Sequence, residues 1–472
     1  MFLRIFCVGC LVAVTACQHT AAIRDTDSDS NGVGETDSRT EESGPGGISS
    51  DSGSTDAHGA DTRGAFSTDS VPAGEMIVVT GVIRSDVTWT SNNTYMLEGG
   101  VFVGDDRSYP VLTIEPGTTI YASPGKQSFL NIRRGARIVA KGTEDRPIVF
   151  TSGNPPGTRR RADWGGISIQ GNATVNGCLD RTHSAICEQA GGWGTGNFGG
   201  NNDADNSGIL RYVRVELAGE DLTGDNPMDA VAFQGVGGGT VVNHLQIHMA
   251  AGDGVGIRGG TVDLTHIVIS GAGDDSLDWT DGWRGRGQFI VIDQTHNTGD
   301  QGIEGDNNGD DNESTPVSQP TLSNLTVIGS PDANSSNIGI LLREGTRAHI
   351  HNSIIADFNE ACLDIDGESC WSHLGNEELT IQQTMVSCAV NFQSDSEPLE
   401  DNPTLEAVFE DTKYRNHIIS DSATILNGYF SIGPAATGAA FPEDPFFTHV
   451  NYIGAIHSDD NWTENWTTSA PN

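Results

Sequence analysis

Basic residues are scarce in this chain. Its 472 residues include 25 lysines and arginines against 64 aspartates and glutamates, a formal net charge of −39. So negative a field opposes nucleic acid and other polyanions unless cations intervene. Long apolar runs are missing too. The run at 5–16 is far too short to span a bilayer, and no other segment is long and apolar enough for a transmembrane helix. Long amphipathic helical patterns are absent, which leaves strands as the repeating element. Eight cysteines are present; Cys7 and Cys10 lie in the apolar N-terminal run, and among the rest no CxxC or His/Cys spacing points to zinc.

What is present begins with MFLRIFCVGCLVAVTACQ. Arg4 gives a short positive start, and the apolar run ends in Val14-Thr15-Ala16-Cys17. That ending resembles a bacterial lipobox, which implies a lipoprotein signal peptide over 1–16 and a lipidated Cys17. Gln18 stands where an aspartate would favour inner-membrane retention, so resemblance to Gram-negative lipoproteins implies outer-membrane lipid as the partner and the cell envelope as the location. An ordinary secretory signal with a chance cysteine is the plain alternative. Residues 18–75 are rich in Ser, Thr, Gly and Asp, with 12 acidic and 3 basic residues. There is almost nothing to bury, so 17–75 is expected to be a disordered acidic tether. The stretch DTDSDSNG lacks the twelfth-position glutamate of an EF-hand loop and reads as tether. Five cysteines follow in an exported, oxidising setting. Cys178 and Cys187 are expected to form a disulfide, and one of Cys362, Cys370 and Cys388 to stay unpaired.

Two segments superimpose at a spacing of 18: LTIEPGTTIYA from Leu112 and LNIRRGARIVA from Leu130. Each holds two alternating strands about a glycine, and WGGISIQGNATV (164–175) is a looser third copy. A second register carries apolar Val231, Val255, Leu277, Ile303, Ile340 and Leu363, separated by 24, 22, 26, 37 and 23 residues. The long gap holds the acidic insert GDNNGDDNESTPVSQP. Further strands, HLQIH, HIVIS, QFIVI and NLTVI, precede the middle copies, and aligning them by their first residues stacks His244, His266, Gln288 and Asn324 in an outward polar ladder. Self-similarity at 20–25 residues with period-2 strands and glycine corners marks a β-solenoid, whose coils bury their inner faces only by stacking. A β-propeller repeats at about 40 residues and fits less well.

The order LTIEPGTTIYA, RGARIVAKGTEDRPIVFTSG, WGGISIQGNA, SGILRYVRVELAG, FQGVGGGTVVNHLQIH, GDDSLDWTDGWRGRGQF and a terminal NYIGAIHSDDNWTENWT resembles a family of exported bacterial lipoproteins with a right-handed, pectin-lyase-like β-helix. The resemblance implies an all-β chain: a single-stranded right-handed parallel β-helix over 76–390, behind the tether, with a C-terminal extension over 391–472 capping it.

The stretch GAGDDSLDWTDGW (271–283) concentrates acid. With Leu277 and Trp279 inward, Asp278 points out between Gly256 and Glu304 on neighbouring coils, about 4.8 Å away. Carboxylates that close repel, and a bound cation, a raised pKa or turn amides can relieve them. Asp229, Asp253 and Asp275 form a column best read as turn residues accepting backbone N–H bonds. The oxygen-rich corner suits calcium, with Asp274, Asp275, Asp278, Asp281, Glu304 and Asp306 as candidate ligands. Trp193 and Phe198, in a glycine-rich loop, are candidate glycan-facing aromatics, though anchoring that loop onto the solenoid flank is the preferred reading. The primary expectation is a binding or structural role toward a glycan or another envelope component. The alternative is a polysaccharide lyase or glycoside hydrolase using Asp278, Glu304 and Arg258. Gly273-Asp274-Asp275 resembles the Gly-Asp-Asp of polygalacturonases, but the accompanying Asn-Thr-Asp, Gly-His-Gly and Arg-Ile-Lys are missing.

Overall fold

A computed structural model describes residues 74–105, 107–178, 186–224, 227–295, 299–332, 335–393, 402–432 and 442–470. The expected signal peptide, Cys17 and nearly all of the expected tether lie outside these. No helix among the described residues is long and apolar enough to cross a membrane.

The strands pair in parallel over three faces. Face 1 runs through Val87–Trp89, Val111–Ile114, Arg137–Lys141, the first halves of Gly208–Glu216, Val241–His248, Asp263–Ser270, Arg286–Asp293 and Thr321–Ile328, then Ala348–His351 and Leu379–Gln382. Face 2 takes Thr119–Ala122, Ile148–Ser152, the second halves of those long strands, Ile354–Ala356, Met385–Ser387 and His417–Ile418. Face 3 stacks Phe129–Ile132, Ile167–Gln170, Val231–Gln234, Val255–Arg258, Leu277–Thr280, Gln301–Gly305, Ile338–Leu342 and Ala361–Ile365. The result is a parallel β-helix.

Alternation explains why the chain winds this way. Val231, Val255, Leu277, Ile303, Ile340 and Leu363 pair in succession on face 3 and sit in one continuous buried cluster. No coil could bury that column alone. The 18-residue similarity has a different origin. Leu112 on face 1 pairs with Ile138, whereas Leu130 on face 3 pairs with Ile167. The two segments share a strand–turn–strand shape, with Gly117 and Gly135 at φ 81° and 89°, but they occupy different faces. The third copy does stack on the second.

The corner between faces 1 and 2 holds a column in left-handed conformation: Tyr212, His244, His266, Phe289, Asn324, Asn352 and Gln383, with φ between 49° and 61°. Phe289, rather than Gln288, continues the histidine ladder, because Gln288 pairs with Thr265 and Ile290 with Ile267. That coil is one residue longer before its corner. His244 and His266 stack with centroids 4.4 Å apart, flanked by Tyr212 at 4.2 Å and Phe289 at 4.9 Å.

The C-terminal extension does two things. Helix Leu405–Glu410 buries Leu405, Val408 and Phe409 against the end of the column. The chain then runs back along face 2. Tyr429 Oη donates to Asp293 (2.6 Å), Ala455 N to Thr326 (2.8 Å), Thr448 N to Gln288 (2.8 Å) and Thr468 N to Gln246 (2.8 Å). Outward Val268 and Val291 are covered by Ala455, Ile456 and Trp466. This strap makes edge-on contacts with both stacked histidines through Trp462.

Disulfides join Cys178 to Cys187 and Cys362 to Cys388, leaving Cys370 free and buried.

Candidate functional site

Two outward columns of face 3 form the acidic site. One reads Asn131, Ser168, Ala232, Gly256, Asp278, Glu304. The other contains Gln170, Gln234, Arg258 and Thr280. Asp278 thus lies between Gly256 and Glu304, as the repeat requires. Beside them, at the corner, Asp253 and Asp275 sit on successive coils. The Asp275 amide donates to Asp253 Oδ1 at 3.2 Å, and the Gln301 amide donates to Asp275 Oδ1 at 2.8 Å.

The expected turn-capping role of this column is therefore partly present, but the column does more. The carboxylates of Asp253, Asp274 and Asp275 have oxygens within 4.8 Å of one another. Asp229 is turned onto face 3: a Cβ at Gly256 would lie 2.2 Å from its Oδ2, so glycine makes the room. Among the described residues, the six aspartates and glutamates expected to share a cation divide into groups. Asp274 and Asp275 join Asp253. Glu304 and Asp306 are bridged by Arg343 at 2.9 and 3.2 Å. Asp281 turns away, accepting from Gln189 Nε2 at 2.8 Å and Asn308 Nδ2 at 3.4 Å, beside a cavity of ≈750 Å³ rimmed by Asp310, Asp311 and Glu313.

Burial dominates the electrostatics. Asp253, Asp275 and Asp278 are held well above the usual carboxylate range, first by loss of water and then by one another, Asp229 and Glu304. Asp229, Asp274, Asp281 and Glu304 are raised as well, with burial the largest cause. Asp306 is raised to about 7, by burial and then by Glu304, against the opposing pull of Arg343. Arg258 stands among Asp229, Asp278, Asp281 and Asp253, whose charges outweigh its burial and hold its proton more firmly than usual. Glu304 also shares a hydrogen bond with Asp275. The site can hold protons or a hard cation, and its arginine is a fixed positive charge.

The arginines that follow the acidic stretch are engaged elsewhere. Arg284 pairs with Asp203 at 3.2 Å, and Arg286 with Asp263 and with Asp444, so neither reaches Asp278. Phe198 does not face a ligand: it is 1% exposed, packed beneath its loop. Trp193 is half-exposed at φ 55°. Arg343 was not anticipated, although the stacking of Ile340 on Ile303 places it opposite Asp306.

Against this geometry, the model of the pectate-lyase like beta helix domain matches residues 81–467, most of the chain. The chain belongs to that family. The pectate-lyase-like match spans the coils, the cap and the strap together, so the returning C-terminal segment is part of the domain. No curated protein and no solved structure matches the chain.

Proposed function

We propose that this β-helix is a lipid-anchored protein of the bacterial envelope, held in the outer membrane through Cys17, that binds a glycan or another envelope component along face 3. Calcium orders its acidic corner. The observation that carries the cation is the convergence of Asp253, Asp274 and Asp275 within 4.8 Å. Raised proton affinity there reflects burial first and the neighbouring carboxylates second. Flexible corner carboxylates suit a hard, oxygen-seeking ion, and the orphaned amide oxygen of buried Gln301 on the next coil supplies a further candidate donor.

A polysaccharide lyase or hydrolase is the second reading. The hydrogen-bonded carboxyls of Asp275 and Glu304 and the high proton affinity of Asp306 favour it, since paired acids with raised pKa serve acid–base chemistry. Against a lyase, Arg258 is held protonated and is poorly placed to act as base.

Calcium titration decides the metal. At a hundred times its dissociation constant, the ion stabilises the fold by about 2.7 kcal/mol, and the Asp253→Asn/Asp275→Asn variant loses the gain. No shift in melting temperature at millimolar calcium sinks the cation. A glycan array read with and without calcium tests binding. Incubation with uronic acid polymers tests chemistry, and unsaturated products or new reducing ends would replace the first reading with the second. Labelling with a palmitate analogue, lost in Cys17→Ser, tests the anchor.

A further inference from the structure

Face 3 carries another concavity, on coils preceding the acidic cluster. It encloses ≈870 Å³ and is lined in part by Asp105, Tyr109, Arg133, Arg134, Gln170 and Glu188. Its volume falls within the roughly 300–1,000 Å³ of small-molecule sites. Arg133 follows the strand Phe129–Ile132 and Gln170 ends the strand Ile167–Gln170. Because Ile132 pairs with Ile169, the two side chains come from neighbouring coils.

The charges here are unevenly committed. Asp105 accepts from Arg84 at 2.8 Å and from Ser108 Oγ at 2.8 Å. Glu188 is taken by Arg134 at 2.5 Å. Arg133 donates to Gly194 O at 3.3 Å and lies 5.0 Å over the Phe102 ring. Among the described residues no carboxylate pairs with it, and its Nε–H has no acceptor. On a chain of net charge −39, this guanidinium stands out.

Gln170 supplies an independent sign. It is 1% exposed. Its Nε2 donates to Thr195 Oγ1 (3.1 Å), Gly196 O (3.2 Å) and Gln234 Oε1 (3.1 Å), whereas its Oε1 receives nothing. A buried oxygen without a donor is costly and uncommon. Tyr109 completes the set: 61% exposed, its ring lies against Gly135, where a Cβ would come within 2.6 Å of Cδ1. An exposed ring seated on glycine is a stacking surface.

We propose that this concavity binds a pyranose ring carrying one anionic substituent. The ring stacks on Tyr109, a hydroxyl donates to Gln170 Oε1, and a carboxylate, sulfate or phosphate meets Arg133. The assignment rests on the glycan-binding reading and gives it a place and a charge.

The test uses the full chain and four size-matched sugars: galacturonate, galactose 6-sulfate, galactose 6-phosphate and neutral galactose, titrated by NMR. At least one anionic sugar should bind more tightly than galactose, and which one identifies the substituent. Arg133→Gln should weaken it about tenfold or more and erase the preference over galactose. Arg133→Lys should restore part of that preference, and Tyr109→Ala should weaken every sugar that binds. Lys413→Gln, in an exposed ion pair with Glu377 outside both sites, should change nothing. Both pocket side chains reach solvent, so unchanged melting temperatures should confirm folding. An anionic sugar bound equally by wild type, Arg133→Gln and Tyr109→Ala overturns this pocket but leaves glycan binding intact. Equal binding of galactose and the charged sugars overturns the anion. If no sugar binds while an array detects a longer glycan elsewhere, only this assignment fails; silence in both removes the glycan reading as well.

Discussion

The stacked histidines make the strap sensitive to acid. His244 is pushed down to about 3, chiefly by burial, then by His266 and Arg211, and His266 is pushed down to about 4 by burial. Both start from an ordinary value of 6.5. The folded chain therefore refuses protons that the unfolded chain accepts. Stability is full above about pH 6.5 and declines as pH falls toward the folded values. At pH 5, each ring in isolation would contribute a loss of about 2 kcal/mol. Because both rings are partly exposed, about half is a fairer figure, or about 2 kcal/mol for the pair. Amide hydrogen exchange over 455–468, corrected for intrinsic pH effects, should report local opening that rises roughly thirtyfold between pH 7 and pH 5. The control is His244→Phe/His266→Phe. Tyr212 and Phe289 already place aromatic rings in this left-handed corner, so stacking survives while titration disappears. Protection that falls equally in wild type and variant, or falls in neither, would refute the reasoning.

Three further outcomes are expected. Arg258→Met removes the cation shared by Asp229, Asp253 and Asp278. It should destabilise the fold by about 3–5 kcal/mol at pH 8 and recover at pH 5, as carboxylates left without their partner take up protons; a pH-independent melting difference contradicts this. Trp466→Ala empties a fully buried position against Val268 and Val291 and should cost about 3–5 kcal/mol in chemical denaturation; a loss below 1 kcal/mol would mean the strap adds little. Non-reducing peptide mapping should recover a Cys362–Cys388 link. Cys370, its thiol pushed up to about 12 by burial, should be alkylated only after unfolding, and native-state labelling would contradict its placement.

The solenoid was legible because its inward column repeats one chemical demand. Val231 through Leu363 must all be apolar, and the spacing between them counts coils directly. Face 3 register then followed, including Asp278 between Gly256 and Glu304. Where coils differ in length, letter matching slipped: Gln288 took the place of Phe289, and the copies at Leu112 and Leu130 proved to be similar bends on different faces. The candidate cluster was harder to see. Neighbouring carboxylates are visible in the text, but which share a space depends on rotamers and loops. Asp253 looked like a turn residue yet converges with Asp274 and Asp275, while Asp281 leaves for an amide network across the long insert. The second concavity had no motif at all, because Tyr109, Arg133 and Gln170 come from three separate turns of the chain.

The strap also alters how the molecule can come apart. A solenoid whose coils touch only their neighbours can fray from either end, one turn at a time. Here the strap that follows the coils fastens turns far apart in the stack, from Asp357 through Ser422 to Glu144 through Asn465. Loss of a terminal coil must also release this clasp, so denaturation becomes more nearly all-or-none. During folding, the stacked coils remain a loose ladder until the strap docks across them and locks it.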